Sequence, residues 1–331
     1  MVLVTGSTGL VGSHLLLRLT AENYPVRAIY RTPEALAKTK NLFRIYCKDD
    51  DFEKIQWVQA DITKIPSLEK AFEGVEFVYH CAALISFDPY DEEKLRKANI
   101  EGTANIVNLS LDFKIAKLCY VSSVAALGDL KPHETVIDEN TEWNPERPHS
   151  DYAISKYGAE MEIWRGQQEG LKIVIVNPGI ILGAGFTESG SGELFSRVAK
   201  GMKFYTRGIT GYVCASDVVR AMVLLMNSEI SGERFVLVSE NISFQEVMNL
   251  AADALRVKRP SIYATSWLIA LLSTADWLRG IFEKKRVLSK DAVRSLQSAN
   301  SYSSEKIKKA MDFSFSPIKE CVADVASKMK S

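Results

Sequence analysis

The chain opens on a stretch, residues 2–12, that reads Val-Leu-Val-Thr-Gly-Ser-Thr-Gly-Leu-Val-Gly. The apolar run predicts a buried strand, and the leucines that follow recur at helical spacing. Glycines at such a turn permit a tight bend and a close approach of the backbone to a bound group, while the helix N-terminus offers free N–H groups to negative charge. A pyrophosphate meets both conditions, so Gly6, Gly9 and Gly12 predict a dinucleotide-binding turn. The lack of a following Gly-Lys-Ser/Thr sequence disfavours an ATP-type phosphate loop.

Beyond this turn, short apolar runs alternate with amphipathic helical patterns through the first half of the chain. Apolar strands separated by helices are typical of a parallel sheet covered on both faces, whose ligands bind at the carboxyl ends of its strands. The predicted fold class is therefore α/β, a Rossmann-type doubly wound parallel sheet with a smaller, mostly helical C-terminal lobe that binds substrate. The predicted strands of the first half are 2–4, 26–30, 55–58, 77–80, 118–121 and 173–176.

After Pro178 the alternation of apolar runs and amphipathic segments gives way to a glycine-rich stretch. We expect residues 1–176 to form the Rossmann domain, residues 177–331 to form the substrate lobe, and residues 211–230 to return to the Rossmann domain. The glycine-rich stretch 183–192 predicts a mobile loop that borders the site. Further on, Ser243 and Glu246 have the spacing of a capping box, which predicts the start of a helix.

Composition and charge exclude several classes of protein. The 331 residues carry 41 basic and 41 acidic side chains, so no net positive charge attracts nucleic acid. Five scattered cysteines and four histidines predict reduced, buried thiols and no metal site. The first residues leave no room for a secretory signal, which predicts a cytoplasmic protein. The most apolar later run, residues 267–272, is far shorter than the ~18 residues of a membrane-spanning helix.

The end of the second predicted strand indicates which dinucleotide binds. An acidic residue there would bind a ribose hydroxyl of NAD, whereas a basic residue would accept the additional phosphate of NADP. Arg31 directly follows this strand, Lys38 lies two helical turns further on, and the strand contains no Asp or Glu. The pattern favours NADP and leaves NAD open, and the alternative is that both cations are solvated surface charges.

A tyrosine and a lysine one helical turn apart, Tyr152 and Lys156, are the candidate catalytic pair. The ammonium can lower the pKa of the phenol from ~10 toward neutrality, and the phenol can then exchange a proton with a substrate oxygen during hydride transfer. Two other pairs in the chain share this spacing. They are Tyr90 with Lys94 and Tyr302 with Lys306. Tyr152 differs from them because the predicted strand before it ends in Ser122-Ser123, where a serine can hydrogen-bond the reacting oxygen.

Six short motifs follow the glycine turn in order through the predicted Rossmann half. They are Asp61-Ile62, His80-Cys81-Ala82-Ala83, Asn99-Ile-Glu-Gly-Thr103, Val121-Ser122-Ser123, Tyr152-x-x-x-Lys156 and Asn177-Pro178-Gly179. Together with the turn they resemble the extended short-chain dehydrogenase/reductases. The resemblance implies an NAD(P)-dependent enzyme with Ser123, Tyr152 and Lys156 as its catalytic set. It also implies that Lys156 binds the nicotinamide ribose and that Asn99 supports this lysine.

The residues expected to bind the cofactor come from the glycine turn and from the strand ends, where Asp61-Ile62 suits the adenine and Ala82-Ala83 the ribose edge. The full set is Gly6, Thr8, Gly9, Leu10, Gly12, Arg31, Lys38, Asp61, Ile62, Ala82, Ala83, Asn99 and Pro178.

Two branches of the family fit the motifs to different degrees. The sugar-nucleotide epimerases and dehydratases usually carry Arg-Pro-x-Asn after the sixth strand, where this chain has Asn-Pro-Gly-Ile at 177–180. Arg31 with Lys38, the segment 85–89 and the segment 300–306 instead resemble the dihydroflavonol-4-reductase and 3β-hydroxysteroid dehydrogenase-like branch. This resemblance implies NADP-dependent reduction of a carbonyl, or oxidation of the alcohol, in a small and largely apolar substrate.

Four residues are candidate walls of the substrate pocket, namely Phe87, Leu182, Phe186 and Tyr212. Two alternative functions stay open, an NAD-dependent nucleotide-sugar epimerase or dehydratase and a non-catalytic NADP-sensing regulator. The helical pattern over 266–282 predicts either a helix packed in the lobe or a shallow membrane contact. By resemblance, the helical segments 91–112 and 151–169 are candidates for a homodimer interface.

Overall fold

The computed structural model describes residues 1–188, 190–265 and 296–329. The strands of these residues are β1 (Val2–Thr5), β2 (Val26–Tyr30), β3 (Gln56–Gln59), β4 (Phe77–His80), β5 (Lys117–Val121), β6 (Ile173–Pro178), β7 (Ile180–Leu182), β8 (Phe204–Tyr205), β9 (Ile209–Cys214), β10 (Glu233–Leu237), β11 (Glu240–Ser243) and β12 (Ile262–Tyr263). Seven of them form a parallel sheet in the order β10-β6-β5-β4-β1-β2-β3. The chain reverses its direction of travel across the sheet between β1 and β4, and this switch point opens a crevice for ligands at the carboxyl ends of the strands.

Helices cover both faces of this sheet. They and the helices of the second lobe are α1 (Leu10–Ala21), α2 (Pro33–Ile45), α3 (Asp49–Glu53), α4 (Ile65–Phe72), α5 (Glu92–Leu95), α6 (Gly102–Asp112), α7 (Asp151–Gln168), α8 (Gly190–Ala199), α9 (Ala215–Met226), α10 (Phe244–Leu255), α11 (Glu305–Met311) and α12 (Ile318–Lys328). Leu16 of α1 and Met222 of α9 are buried against one face, and Ile106 of α6 and Ile163 of α7 against the other. Each such side chain contributes about 1.5–3 kcal/mol by leaving water, and the predicted doubly wound α/β fold is confirmed.

The segment predicted to return to the Rossmann part, residues 211–230, differs from the structure at both ends, because β9 pairs with β7 and β11 outside the main sheet. Helix α9 packs on α1, and β10 continues the main sheet beside β6, with Glu233 opposite Val174 and Leu237 opposite Pro178. The returning segment therefore reaches residue 237. Pairing of β10 with β6 covers the backbone of β6, whose side chains are buried along its whole length.

The second lobe packs two small sheets against helices. Strands β11, β9 and β7 form one sheet, and β12 with β8 forms the other. Side chains of α8, α10 and α12 close its core, including Phe195, Val247 and Val322. The lobe was predicted to be mostly helical, but the part that the structure describes contains strands as well as helices. The predicted cap of α10 is confirmed, because Ser243 Oγ accepts a hydrogen bond from the Glu246 N–H at 3.1 Å.

The first part of the glycine-rich stretch, residues 183–186, is packed against its neighbours and is not the mobile loop that the composition predicted. Ala184 is 1% exposed and Phe186 8% exposed, and the carbonyl of Ala184 lies 3.2 Å from His14 Nε2. A Cβ at Gly183 would lie 2.8 Å from that of Ala215. The glycine is required here for close packing rather than for flexibility, and the end of the stretch belongs to α8.

The prediction that all cysteines are reduced and buried is also wrong. Cys214 and Cys321 form a disulfide with an S–S distance of 2.10 Å. Of the three free cysteines, Cys47 is exposed, Cys81 half-buried and Cys119 buried. The sequence does not indicate this pairing, because the two cysteines are 107 residues apart. They meet only when α12 packs beside the end of β9.

Within the described ranges, no helix is both long and apolar enough to cross a membrane. The pattern over 266–282 lies outside the described residues. Nor does any group of three or more potential metal ligands come together in the described part of the chain.

Candidate active site

Only glycine fits at two positions where β1 leads into α1, one in the turn itself and one in the first turn of the helix. Gly6 has a φ of +62°, and a Cβ there would lie 2.4 Å from the backbone N of Ala82. A Cβ at Gly12 would lie 2.2 Å from the carbonyl oxygen of Gly6. Because neither position carries a Cβ, the N-terminus of α1 can lie close to the carboxyl ends of β1 and β4.

The third glycine leaves open space in front of the helix. Gly9 is the N-cap residue of α1 and is exposed, while Thr8 and Leu10 beside it are half-buried. A Cβ at Gly9 would meet only the Gly6 carbonyl, at an ordinary 3.4 Å. An exposed helix N-terminus with a bare backbone beside it fits the pyrophosphate of a dinucleotide.

The two candidate phosphate-binding cations lie at the surface. Arg31 is exposed just after β2. Lys38 lies on α2, and its ammonium is 3.8 Å from a carboxylate oxygen of Glu188. More than half of the Lys38 side chain is exposed, so a stronger anion can displace this weak pair.

Asp61 and Ile62 follow β3 at the same edge of the sheet. Asp61 Oδ1 accepts hydrogen bonds from the backbone N–H and the hydroxyl of Thr63, each at 2.9 Å. Burial alone would raise the pKa of Asp61, but these bonds and the nearby Arg31 and Lys64 hold it below its usual value. Asp61 is therefore a carboxylate at neutral pH and can accept a hydrogen bond from a ligand. Ile62 is buried against Gly102 at the start of α6.

Ser123 and Tyr152 meet at the end of β5. Ser123 caps a short 3-10 turn, with Oγ accepting from the Ala125 N–H at 3.1 Å. Tyr152 lies in the first turn of α7, whose N-cap is Ser150, and its hydroxyl is hydrogen-bonded to the Ser123 side chain. The neighbouring Ser122 instead donates to Glu160 at 2.7 Å. Of the two serines, Ser123 is thus the one beside the tyrosine.

The electrostatics of Tyr152 differ from the sequence-based expectation. Burial raises the pKa of its hydroxyl above the ordinary value, and the hydrogen bond with Ser123 only partly offsets this. The Lys156 ammonium does not bring the pKa down toward neutrality in this structure, because its own hydrogen bonds go elsewhere. Tyr152 is consequently protonated at neutral pH and poised to donate.

Lys156 is 1% exposed and lies on the side of α7 that faces the sheet. Its ammonium donates to Tyr120 Oη at 2.7 Å and to the Val121 carbonyl at 2.9 Å. Burial lowers the pKa of Lys156 to about 7, although Glu160 and Cys81 oppose the shift. A lysine in this state changes charge near physiological pH.

Glu160, one helical turn after Lys156, connects α7 to the neighbouring strands of the sheet. Its carboxylate accepts from Ser122, from Asn177 Nδ2 at 2.9 Å and from Arg234 at 3.1 Å. Asn177 Nδ2 also donates to the Ser123 carbonyl at 3.0 Å. This buried network fixes the backbone that carries Ser123. The sequence signal that could have revealed Glu160 is its spacing, since Tyr152, Lys156 and Glu160 follow one another at intervals of four residues.

Asn99 lies in a π-helical segment, Arg96–Glu101, between α5 and α6. Its side chain bonds the N–H and carbonyl of Leu84 at 2.7 and 3.0 Å and the Ser155 hydroxyl at 2.9 Å. Its contact with α7 is therefore made through the residue before Lys156. It also fixes the segment after β4 that carries Ala82 and Ala83.

The comparisons with known proteins agree with this geometry. A model of the NAD dependent epimerase/dehydratase family matches residues 2–238. The chain belongs to this family. It is an NAD(P)-dependent enzyme of the extended short-chain dehydrogenase/reductase type, in the branch that resembles dihydroflavonol reductases.

Individual relatives align with most of the length of this chain. A Synechocystis sp. protein that carries the name of dihydroflavonol 4-reductase is 30% identical over 80% of this chain and 75% of its own. Sterol demethylase protein B of Methylococcus capsulatus is 28% identical over 78% and 76% of the two chains. The crystal structure of gox2253 superposes with a TM-score of 0.81 and 26% identity, covering 100% of this chain and 98% of the other.

The candidate substrate walls of this extended dehydrogenase/reductase do not all lie together. The Phe87 ring centroid is 5.6 Å from that of Tyr152. Leu182 and Tyr212 are fully buried in the core of the second lobe, and Phe186 is buried in the stretch described above. Tyr212 Oη has no hydrogen-bond partner among the described residues.

Proposed function

We propose that the enzyme reduces the carbonyl group of a small, largely apolar substrate with NADPH, or oxidises the corresponding alcohol. The observation that supports this most directly is the Ser123–Tyr152 hydrogen bond at the carboxyl edge of the sheet, beside an exposed phenylalanine. Bound NADPH supplies the hydride. Tyr152 Oη donates a proton to the substrate oxygen, Ser123 Oγ orients that oxygen, and Lys156, one helical turn after Tyr152, supplies a positive charge on the same helix when it is protonated.

The surroundings of Tyr152 support an apolar substrate. The segment after β4 exposes three large apolar side chains, with Ile85 62%, Phe87 44% and Tyr90 74% exposed. Exposed apolar side chains clustered in one segment mark ligand or partner sites more often than scattered ones do. The names of two relatives refer to a flavonoid and to a sterol, which are polycyclic and largely apolar compounds.

We propose NADP as the preferred cofactor on the placement of two cations. Arg31 follows β2 with its side chain exposed, and Lys38 on α2 forms a weak ion pair with Glu188. A guanidinium binds a phosphate through two parallel hydrogen bonds. The predicted cofactor set has four remaining residues. Ala82 and Ala83 follow β4, Pro178 ends β6, and Asn99 binds the segment after β4 through the backbone of Leu84.

The test follows NADPH oxidation, with NADH in parallel, across dihydroflavonols, oxosteroids and apolar aldehydes and ketones. Turnover with NADPH and an apolar carbonyl is the expected result. Conversion of a sugar nucleotide without net cofactor consumption would overturn the proposal in favour of an epimerase or dehydratase. Tight NADPH binding without turnover of any compound would overturn it in favour of a regulator.

We also propose that the enzyme forms a homodimer through α6 and α7. Ile154 and Met161 lie seven residues apart on one side of α7 and are 40% and 37% exposed. Sedimentation equilibrium should give twice the chain mass, and Met161→Lys should shift the protein toward monomer. A wild-type monomer at micromolar concentration would contradict this. The expected cytoplasmic location stays a prediction.

A further inference from the structure

Lys156 stands at one end of a buried chain of hydrogen-bonding side chains. Its ammonium donates to Tyr120 Oη at 2.7 Å, and the Tyr120 hydroxyl is bonded to the Thr103 side chain. Thr103 Oγ1 lies 2.9 Å from His80 Nε2, and His80 Nδ1 lies 2.7 Å from Thr5 Oγ1. All five side chains are no more than 1% exposed. The chain therefore runs from the catalytic helix α7 through β5, α6 and β4 to the end of β1.

The middle of this chain is neutral, which gives it a direction. Burial, with a smaller contribution from Lys156, lowers the pKa of His80 to about 3, so one ring nitrogen donates and the other accepts. An ammonium can only donate. When Lys156 is charged, Tyr120 accepts from it and donates to Thr103, Thr103 donates to His80 Nε2, and His80 Nδ1–H donates to Thr5.

This direction stabilises the charged lysine. Each hydroxyl that donates away from Lys156 presents its oxygen lone pairs toward it, and aligned hydrogen bonds polarise one another. The chain ends at Thr5, whose Oγ1 also accepts the N–H of Ala82 at 3.3 Å. Because that end is buried beneath the glycine turn, the arrangement is suited to orienting Lys156 rather than to conducting protons to solvent.

Other groups also act on the Lys156 charge. Glu160 on the same helix favours the ammonium, as does Cys81 after β4, and Tyr120 on β5 places both its hydroxyl and its ring beside it, with Nζ 4.5 Å from the ring centroid. Glu160 is shared among Ser122, Asn177 and Arg234. Among the residues that the structure describes, Tyr120 is the side chain that accepts a hydrogen bond from the Lys156 ammonium.

We propose that Tyr120 is a positioning residue of this reductase: through the hydroxyl chain to Thr103 and His80, it holds Lys156 in place as an ammonium at working pH. This inference rests on the proposed function for its kinetic consequence, but the placement and charge of Lys156 can be measured without turnover.

The experiment compares Tyr120→Phe with Tyr79→Phe. Tyr79 is a buried tyrosine of the adjacent strand β4, and it packs on the opposite face of the sheet with the leucines of α1. The readouts are an NMR titration of Cε-labelled lysine, with the Lys156 signal assigned by its loss in Lys156→Met, and the pH profile of kcat/KM with NADPH. Thermal unfolding shows that each variant is folded.

In Tyr120→Phe, we expect the Lys156 titration to move to lower pH by about one unit, the change expected from losing one hydrogen bond to a charged group. The alkaline limb of the pH profile should move with it, and Tyr79→Phe should match the wild type in both readouts. A folded Tyr120→Phe protein with an unchanged Lys156 titration would overturn the proposal. If no carbonyl is turned over but the titration moves, the proposed function fails and the positioning role stands.

Discussion

At the scale of single residues, burial shifts the pKa values of the proposed catalytic pair in opposite directions, because it favours the neutral form of each side chain. Burial raises the pKa of Tyr152 and lowers that of Lys156 to about 7. Near neutral pH the tyrosine therefore holds its proton, while the lysine beside it is close to its midpoint. A site in this state is prepared for proton donation to a substrate oxygen, which is the direction of carbonyl reduction.

Replacing the proposed proton donor should separate chemistry from binding. Tyr152→Phe keeps the ring but removes the hydroxyl, so kcat should fall by roughly 10²–10⁴-fold, the usual contribution of a positioned acid. The Kd for NADPH, measured by fluorescence titration, should stay near that of the wild type. A variant that retains most of its turnover would exclude Tyr152 as the donor.

Removing the guanidinium after β2 should discriminate between the two nicotinamide cofactors. In Arg31→Ala, the KM for NADPH should rise about ten- to a hundredfold through the loss of a hydrogen bond to a charged phosphate, whereas the KM for NADH should barely change. Arg259→Ala is a matched control, since Arg259 is also exposed but is paired with Asp253 in the second lobe. Equal effects on both cofactors would show that Arg31 does not bind the additional phosphate.

At the scale of elements, β1 and α1 illustrate how a sequence pattern becomes a binding surface. The apolar residues of β1 are buried between its neighbours, and α1 is brought against them by contacts that leave no room for a Cβ at Gly6 or Gly12. Gly9 has such room. Gly6 and Gly12 thus allow the close packing of α1 against the strands, whereas Gly9 leaves open space at the N-terminus of the helix.

Two alanine substitutions should show this difference. Gly12→Ala forces a Cβ against backbone and should lower the free energy of unfolding by about 1–3 kcal/mol. Gly9→Ala should change it by no more than about 1 kcal/mol, the scale of an N-cap change, yet weaken NADPH binding because the new methyl group occupies the open space. Urea denaturation and cofactor titration measure the two effects. Similar stability losses in both variants would contradict the assignment.

Elements with local signals were predictable, and contacts between distant segments were not. The apolar runs predicted the strands of the Rossmann half, and the serine, tyrosine and lysine motifs predicted side chains that the structure brings to one edge of the sheet. The role of Tyr120 had no such signal, because a tyrosine within an apolar strand has the pattern of core. Its partners Thr103 and His80 come from other elements and meet it only in the folded sheet.

At the scale of the whole molecule, the two parts of the protein are tied together by the path of the chain and by a covalent bond. The chain leaves the main sheet after β6, builds part of the second lobe, and returns with α9 and β10. The disulfide between Cys214 and Cys321 then fastens α12 to the junction of β9 and α9.

Opening this bond should destabilise the fold. Cys321→Ser should lower the free energy of unfolding by about 2–4 kcal/mol, as is typical for a bond that closes a long loop, and a reducing agent should lower the Tm of the wild type to that of the variant. Cys47→Ser, at an exposed free cysteine, is the control and should leave Tm unchanged. If reduction leaves the wild-type Tm where it was, the bond does not contribute to stability.

The late return of β10 has a consequence for biosynthesis. Until residues 233–237 emerge from the ribosome, β6 is an open edge whose unpaired backbone groups lie beside the apolar side chains of Ile173–Pro178. Such an edge is a template for pairing with another nascent chain. Products that terminate within the second lobe before β10 should therefore aggregate, whereas chains that reach α11, which packs against β10, have closed this edge.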